Sequence, residues 1–273
     1  MRTIAFFNQK GGVGKTTTTA NLGAALADAG KRVVLVDLDP QANLTTHLGI
    51  DPEADRTQAS NIYRVLTDGI PLAESLQEVE GFEGRLRVAP ATSDLAAAEM
   101  ELVSVTGRES LLRKMAAAAP IDADYLLIDC PPSLGLLSLN ALAFAGEVIV
   151  PLQAHFLALQ GMERLFETVS MVRQALNPKL RISAILFCQF ESSAKLSSEV
   201  TGEVDSFLEQ AKGTAHPAAN AIVFRTHIRR NIKLAEAPSF GKSIFDYAPT
   251  SAGADDYGNL AAEVAEMSSS PKD

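Results

Sequence analysis

The run Asn8-Gln9-Lys10-Gly11-Gly12-Val13-Gly14-Lys15-Thr16-Thr17 brings together the residue types that hold a polyphosphate. Gly11, Gly12 and Gly14 let main-chain N–H groups close around an anion, and Lys15 supplies a cation to offset its charge. The Thr16 hydroxyl suits Mg²⁺, while Val13 and Thr17 complete the cradle. A nucleoside triphosphate is the ligand these groups fit. The general pattern G-x-x-x-x-G-K-[ST] puts glycine where this chain has Gln9, and it gives no part to the additional lysine, Lys10.

Two acidic runs offer the remaining chemistry. In Val36-Asp37-Leu38-Asp39-Pro40-Gln41, period-two alternation turns Asp37 and Asp39 in similar directions, so that one supports a Mg²⁺ shell and the other positions water. In Leu127-Ile128-Asp129-Cys130-Pro131-Pro132 an apolar strand delivers Asp129 to its end, as a Walker B strand does for Mg²⁺. An aspartate can also end a strand merely to serve a turn; convergence with the phosphate loop favours the functional reading.

These groups meet only if a parallel sheet brings its strand ends together. Thr3–Phe7 reads as a buried strand before the loop, and Leu22, Ala25, Leu26 and Ala29 recur at helical spacing until Gly30. Further strands are expected at 32–37, 86–89, 125–129, 148–150, 182–187 and 221–224, mostly continuous apolar runs of the kind buried on both faces. The alternation predicts a single α/β domain over residues 1–267, a mostly parallel twisted sheet flanked by helices on both faces, with a frayed tail at 268–273. Ligands of such sheets lie at the carboxyl ends of the strands. The polar stretch from about Gly49 to Gly84 has scattered helical periodicity and suggests no second domain.

The 273 residues, 47% hydrophobic, suffice for one large core, and the net charge of −9 repels DNA and anionic membrane at long range. Any nucleic-acid site must therefore be a local basic patch. No apolar run is long enough to span a membrane and no signal segment is evident, so a cytoplasmic location is expected. Cys130 and Cys188, both following expected core strands, read as buried reduced thiols. His47, His155, His216 and His227 lack ligand spacing, no G-x-S-x-G elbow occurs, and the Asn43-Leu44-Thr45 sequon has no role in a cytoplasmic chain.

Lys10-Gly11-Gly12-Val13-Gly14-Lys15-Thr16 resembles the deviant Walker A motif of the ParA/MinD ATPases. Val36 to Asn43 is similar to the Walker A′ segment of the ParA group, Asp129 to Leu137 to its switch II, and Asn231 to Lys242 to a third block, so the likeness spans nearly the whole chain. It implies a P-loop fold and slow, partner-stimulated hydrolysis of ATP with Mg²⁺. It further implies an ATP-dependent homodimer, non-specific binding to double-stranded DNA, a ParB-like stimulating protein and a nucleoid-associated life. Residue by residue, Lys15 and Thr16 hold phosphates and metal, Lys10 acts across the dimer, Asp39 positions the attacking water, Asp129 supports Mg²⁺ through water and Asp37 stands behind it.

The chain departs from Soj-like proteins at Glu191-Ser192-Ser193-Ala194-Lys195, where Ser193 replaces a basic residue given to DNA in relatives and Lys195 is the nearest candidate to compensate. Arg225, His227, Arg229, Arg230 and Lys233 crowd one segment, with Arg230 and Lys233 expected on DNA phosphates, although acids nearby can pair such a cluster. Two other readings stay open. A MinD-like membrane switch needs a basic amphipathic helix, which the acidic stretch Leu260–Met267 does not offer. A metabolic or metal-delivery ATPase would bind a small substrate or a cluster, and cluster carriers of this kind show paired cysteines, which are absent.

Overall fold

The computed structural model describes residues 1–53, 60–155, 158–191 and 195–269, without the side chains of 158–160, 195–196 and 268–269. Its strands are β1 (Arg2–Phe6), β2 (Val33–Asp37), β3 (Gln77–Glu78), β4 (Leu86–Ala89), β5 (Tyr125–Asp129), β6 (Glu147–Leu152), β7 (Arg181–Phe190), β8 (Ile222–Val223) and β9 (Ile228–Arg229). The helices are α1 (Lys15–Asp28), α2 (Asn43–His47), α3 (Ile62–Thr67), α4 (Leu95–Glu101), α5 (Leu111–Ala118), α6 (Leu136–Phe144), α7 (Ala158–Ala175), α8 (Lys195–Ala211), α9 (Ile232–Glu236), α10 (Ile244–Tyr247) and α11 (Ala252–Ser269).

One sheet runs β3-β4-β2-β5-β1-β6-β7-β8, with β9 also on β7. Every pairing is parallel except β3 with β4. Alternation along the strands builds two cores. Ala5, Val34, Val36, Leu126, Ile128 and Val148 face the side of α3 to α8, while Ile4, Phe6, Val33, Leu35, Leu127 and Ile149 face α1 and α11. Because both faces are covered, β2 and β5 are buried at every residue, which is why they read as unbroken apolar runs.

Each strand read from the sequence is present, with bounds shifted by a few residues. β3 and β9, two residues each, carried no apolar run to reveal them. Cys188 corrects one expectation: it lies inside β7 rather than after it, whereas Cys130 does follow β5. Both thiols are free and buried. The last helix continues to Ser269, past the expected boundary at residue 267, and residues 270–273 lie outside the described residues.

Candidate active site

At the sheet centre β1 leads into the glycine loop and then into α1. Gly14 caps α1 with φ +95°, a left-handed conformation that disfavours any side chain, and a Cβ there would come within 3.4 Å of the Cys188 side chain. The cap supplies no side-chain acceptor and the first turn holds no acid, so the leading N–H groups of α1 point out for an anion. Asn8 braces the loop: its amide donates to the Pro151 carbonyl at 2.8 Å, and its Oδ1 accepts from Lys10 N–H at 3.0 Å.

Lys15 and Lys10 have different surroundings. Lys15 is buried, and its ammonium donates to the Asn8 and Lys10 carbonyls at 3.0 and 3.1 Å. Burial lowers its pKa, opposed by Asp129, Cys130 and Asp39. Lys10 is exposed, and its ammonium contacts the His155 ring.

Asp37 and Asp129 are register partners on β2 and β5, both fully buried. The Thr16 hydroxyl donates to Asp129 Oδ2 at 2.6 Å, and Asp129 Oδ1 is buried with no hydrogen-bond partner. Desolvation, then the neighbouring Asp37, pushes the Asp129 carboxyl well up; desolvation raises Asp37 to about 6, held back by donors from Thr45 and Asp39. Mg²⁺ fits this set. Thr16 would ligate it, with Asp129 behind Thr16 and its orphaned oxygen open to a metal-bound water. No group of three or more His, Cys, Asp or Glu able to hold a metal exists among the described residues, so phosphate and water oxygens would complete the shell, as is usual for Mg²⁺.

The structure separates Asp37 from Asp39, which the alternation had turned alike. After Asp37 the chain leaves the sheet, and a left-handed Ala42 (φ 50°) swings it into α2. Asp37 is thereby consumed, accepting from Thr45 N–H at 2.9 Å, the Thr45 hydroxyl at 2.7 Å and Asp39 N–H at 3.1 Å. Asp39, steadied by Gln41 N–H at 2.9 Å, lines a cavity of about 470 Å³ above the phosphate loop. Gly11, Gly12, Gly14, Lys15, Thr16 and Thr17 form its floor. Lys10 is not in its wall.

A second cavity, of about 350 Å³, opens from Gly14 and Thr17 and is walled by Cys188, Gln189, Ile228, Asn231, Leu234 and Tyr257. The turn beside it is tightly docked: a Cβ on Gly241 would meet Gly49 Cα at 2.6 Å, which holds α2 against the Ala237–Phe240 turn.

The basic segment is largely spoken for by acids. Arg225 pairs with Glu263 and Glu266, Arg229 with Asp256 at 2.6 Å, Arg230 with Glu191 at 3.0 Å and Lys233 with Glu236 at 2.8 Å. Arg230 and Lys233 remain solvent-facing, so these pairs are weak and exchangeable. Ser193 and the side chain of Lys195 lie outside the described residues; the Lys195 backbone opens α8.

Comparison with known proteins accords with this geometry. A family model described as an AAA domain matches residues 1–182. The sporulation initiation inhibitor protein Soj of Bacillus subtilis is 44% identical over 262 residues, 96% of this chain and 97% of that protein. The chain belongs to the ParA/MinD family, on its Soj-like ParA side. The chromosome partitioning protein ParA of Myxococcus xanthus is 43% identical, covering 96% of this chain and 87% of its own. Among solved structures, cobyrinic acid a,c-diamide synthase from Mycobacterium smegmatis, with bound ADP and magnesium, matches with a TM-score of 0.80 and 35% identity over 100% of this chain and 97% of that one.

In this ParA-family chain, the glycine loop and Asp39 singled out from the sequence line one cavity, and Asp37 and Asp129 pair on neighbouring strands. Sequence reasoning missed Gln41, Asn43, Thr46, Gln189 and Pro238 in the cavity wall. A left-handed Gln189 (φ 50°) at the end of β7 puts its amide 3.0 Å from the Gly12 carbonyl, a conformation no sequence pattern announced.

Proposed function

We propose that the chain is an ATP-dependent dimerising switch that binds DNA without sequence preference and positions or segregates it. One observation carries the reading: Lys15 and Asp39 line one cavity, while the ammonium of Lys10, five residues before Lys15, lies on His155 and Lys10 is outside that lining. An exposed loop lysine that does not line its own chain's cavity is available to another chain's phosphates.

ATP lies with its phosphates on the loop amides and Lys15, and with its base in the cavity bounded by Gln189, Asn231 and Tyr257. Thr16, and Asp129 through water, would hold Mg²⁺, which would supply positive charge to the phosphate oxygens. Asp39 orients the attacking water, and the partner's Lys10 stabilises charge developing in the transition state. Hydrolysis is slow until a ParB-like protein stimulates it. Dimerisation doubles the exposed Arg230 and Lys233, and the Lys195 of each copy joins them on DNA. The protein works in the cytoplasm, on the nucleoid.

A membrane switch has less support. No helix among the described residues is long and apolar enough to cross a membrane, and α11 carries acids but no lysine or arginine. A cluster-carrying role has less support too: Cys130 and Cys188 are buried, and burial raises Cys188 to about 12 and Cys130 higher still.

Co-sedimentation with duplex DNA and with anionic liposomes, with and without ATP and Mg²⁺, tests the proposal. ATP-dependent pelleting with DNA alone is expected. Pelleting with liposomes, or with neither, overturns the DNA reading.

A further inference from the structure

The end of β6 and the segment after it hold the outer turn of the phosphate loop at three points. Asn8 donates to the Pro151 carbonyl at 2.8 Å, Gln153 donates to the Gly12 carbonyl at 3.0 Å, and Lys10 Nζ meets His155 Nε2. His155 is itself held in a turn, its N–H on the Gln153 carbonyl at 2.9 Å. An ammonium has donors only, so His155 Nε2 must accept, which requires the neutral ring with its proton on Nδ1. Burial, then the Lys10 charge, lowers the His155 pKa, which favours the neutral ring.

We propose that His155 is a latch in cis for Lys10, holding the ammonium on its own chain in the monomer and surrendering it when Lys10 crosses to a partner's nucleotide. The inference rests on the reading of Lys10 given above. The two positions of Lys10 exclude each other, so the latch weakens dimerisation and does so twice in a symmetric dimer. His155 touches neither nucleotide nor water in this scheme and acts as a positioning residue.

The test uses the full chain with a non-hydrolysable ATP analogue and Mg²⁺, and sedimentation velocity to follow dimers. His155→Ala should tighten the dimer by roughly two- to fivefold per subunit, the range of an exposed charged contact, and so by about four- to twenty-fivefold in all. His155→Gln keeps an acceptor and should stay near wild type. Independently, the NMR titration midpoint of the His155 ring should rise in Lys10→Met, because the repelling cation is gone.

An unmoved midpoint shows that the contact is absent in solution and overturns the latch. A shifted midpoint with wild-type dimerisation of His155→Ala overturns it too, because the contact then restrains nothing. Wild-type dimerisation of Lys10→Met strikes instead at the reading of Lys10 as acting across the dimer, and removes the latch's purpose while leaving the contact established by the titration.

Discussion

The Thr16 hydroxyl donates to one oxygen of Asp129 at 2.6 Å, while the other oxygen of that buried carboxylate has no partner. Asp37 lies beside it on the next strand with its own oxygens taken up by Thr45 and Asp39, so the bare Asp129 oxygen is the one a cation would offset. The pair opposes folding when ionised. Both folded-state pKa values are raised, so the folded chain binds more protons than the unfolded one once pH passes the ordinary carboxylate value, and stability falls as pH rises through the folded values, from about 4 to about 6 for Asp37.

Asp129→Asn should therefore make the nucleotide-free protein more stable at pH 7.5, with a melting temperature higher by roughly 2–4 °C, the shift that about 1 kcal/mol gives in a chain near this size. The gain should vanish near pH 4, where the wild-type carboxyls are protonated. Stabilisation by ATP and Mg²⁺ should shrink in the same variant. Thermal melts across pH check both signs, and a less stable variant at pH 7.5 would show that the charge pair does not strain the fold.

Lys15→Ala should abolish ATP binding, weakening it by on the order of a hundredfold or more, since the loop loses its one inward cation and a charged contact of about 1.5–3 kcal/mol for each phosphate hydrogen bond. Isothermal calorimetry measures this directly. Unchanged affinity would dismiss the phosphate-loop assignment.

Asp39→Ala should slow hydrolysis at least tenfold while leaving ATP binding intact, because Asp39 lines the cavity without bonding to the phosphate loop. The expected product is an ATP-trapped dimer, seen by size exclusion with Mg²⁺ present. Asp37 is no substitute: its oxygens already accept from Thr45 and Asp39. Wild-type turnover in the variant would place the catalytic role elsewhere.

Glu191→Gln should strengthen DNA binding by releasing Arg230, whose side chain is 75% exposed but paired at 3.0 Å. Arg230→Glu and Lys233→Glu should weaken every duplex alike and spare dimerisation. For every DNA phosphate that a variant no longer neutralises, the plot of log affinity against log salt should flatten by about 0.9. Salt titrations on unrelated duplexes, using the Asp39→Ala dimer, decide the matter. Binding indifferent to all three changes would assign DNA to another surface.

The sequence alone determined the parts whose chemistry is local. A glycine loop between a buried strand and a helix reads as an anion cradle, because conformational freedom, helix N-terminus and lysine lie within ten consecutive residues, 8–17. Unbroken apolar runs such as β2 and β5 declared a sheet covered on both sides, since only double burial removes the polar alternate positions.

Tertiary structure decided what depends on where a chain turns after its strand ends. Alternation treated Asp37 and Asp39 alike, yet the turn into α2 gives Asp37 to Thr45 and leaves Asp39 to the cavity. The basic segment read as a patch until distant acids were seen on it, Glu191 from after β7 and Asp256, Glu263 and Glu266 from α11. His155, dismissed for lack of ligand spacing, meets Lys10 across 145 residues of chain. Such pairings are set by packing between elements far apart in sequence, and no periodicity within either element encodes them.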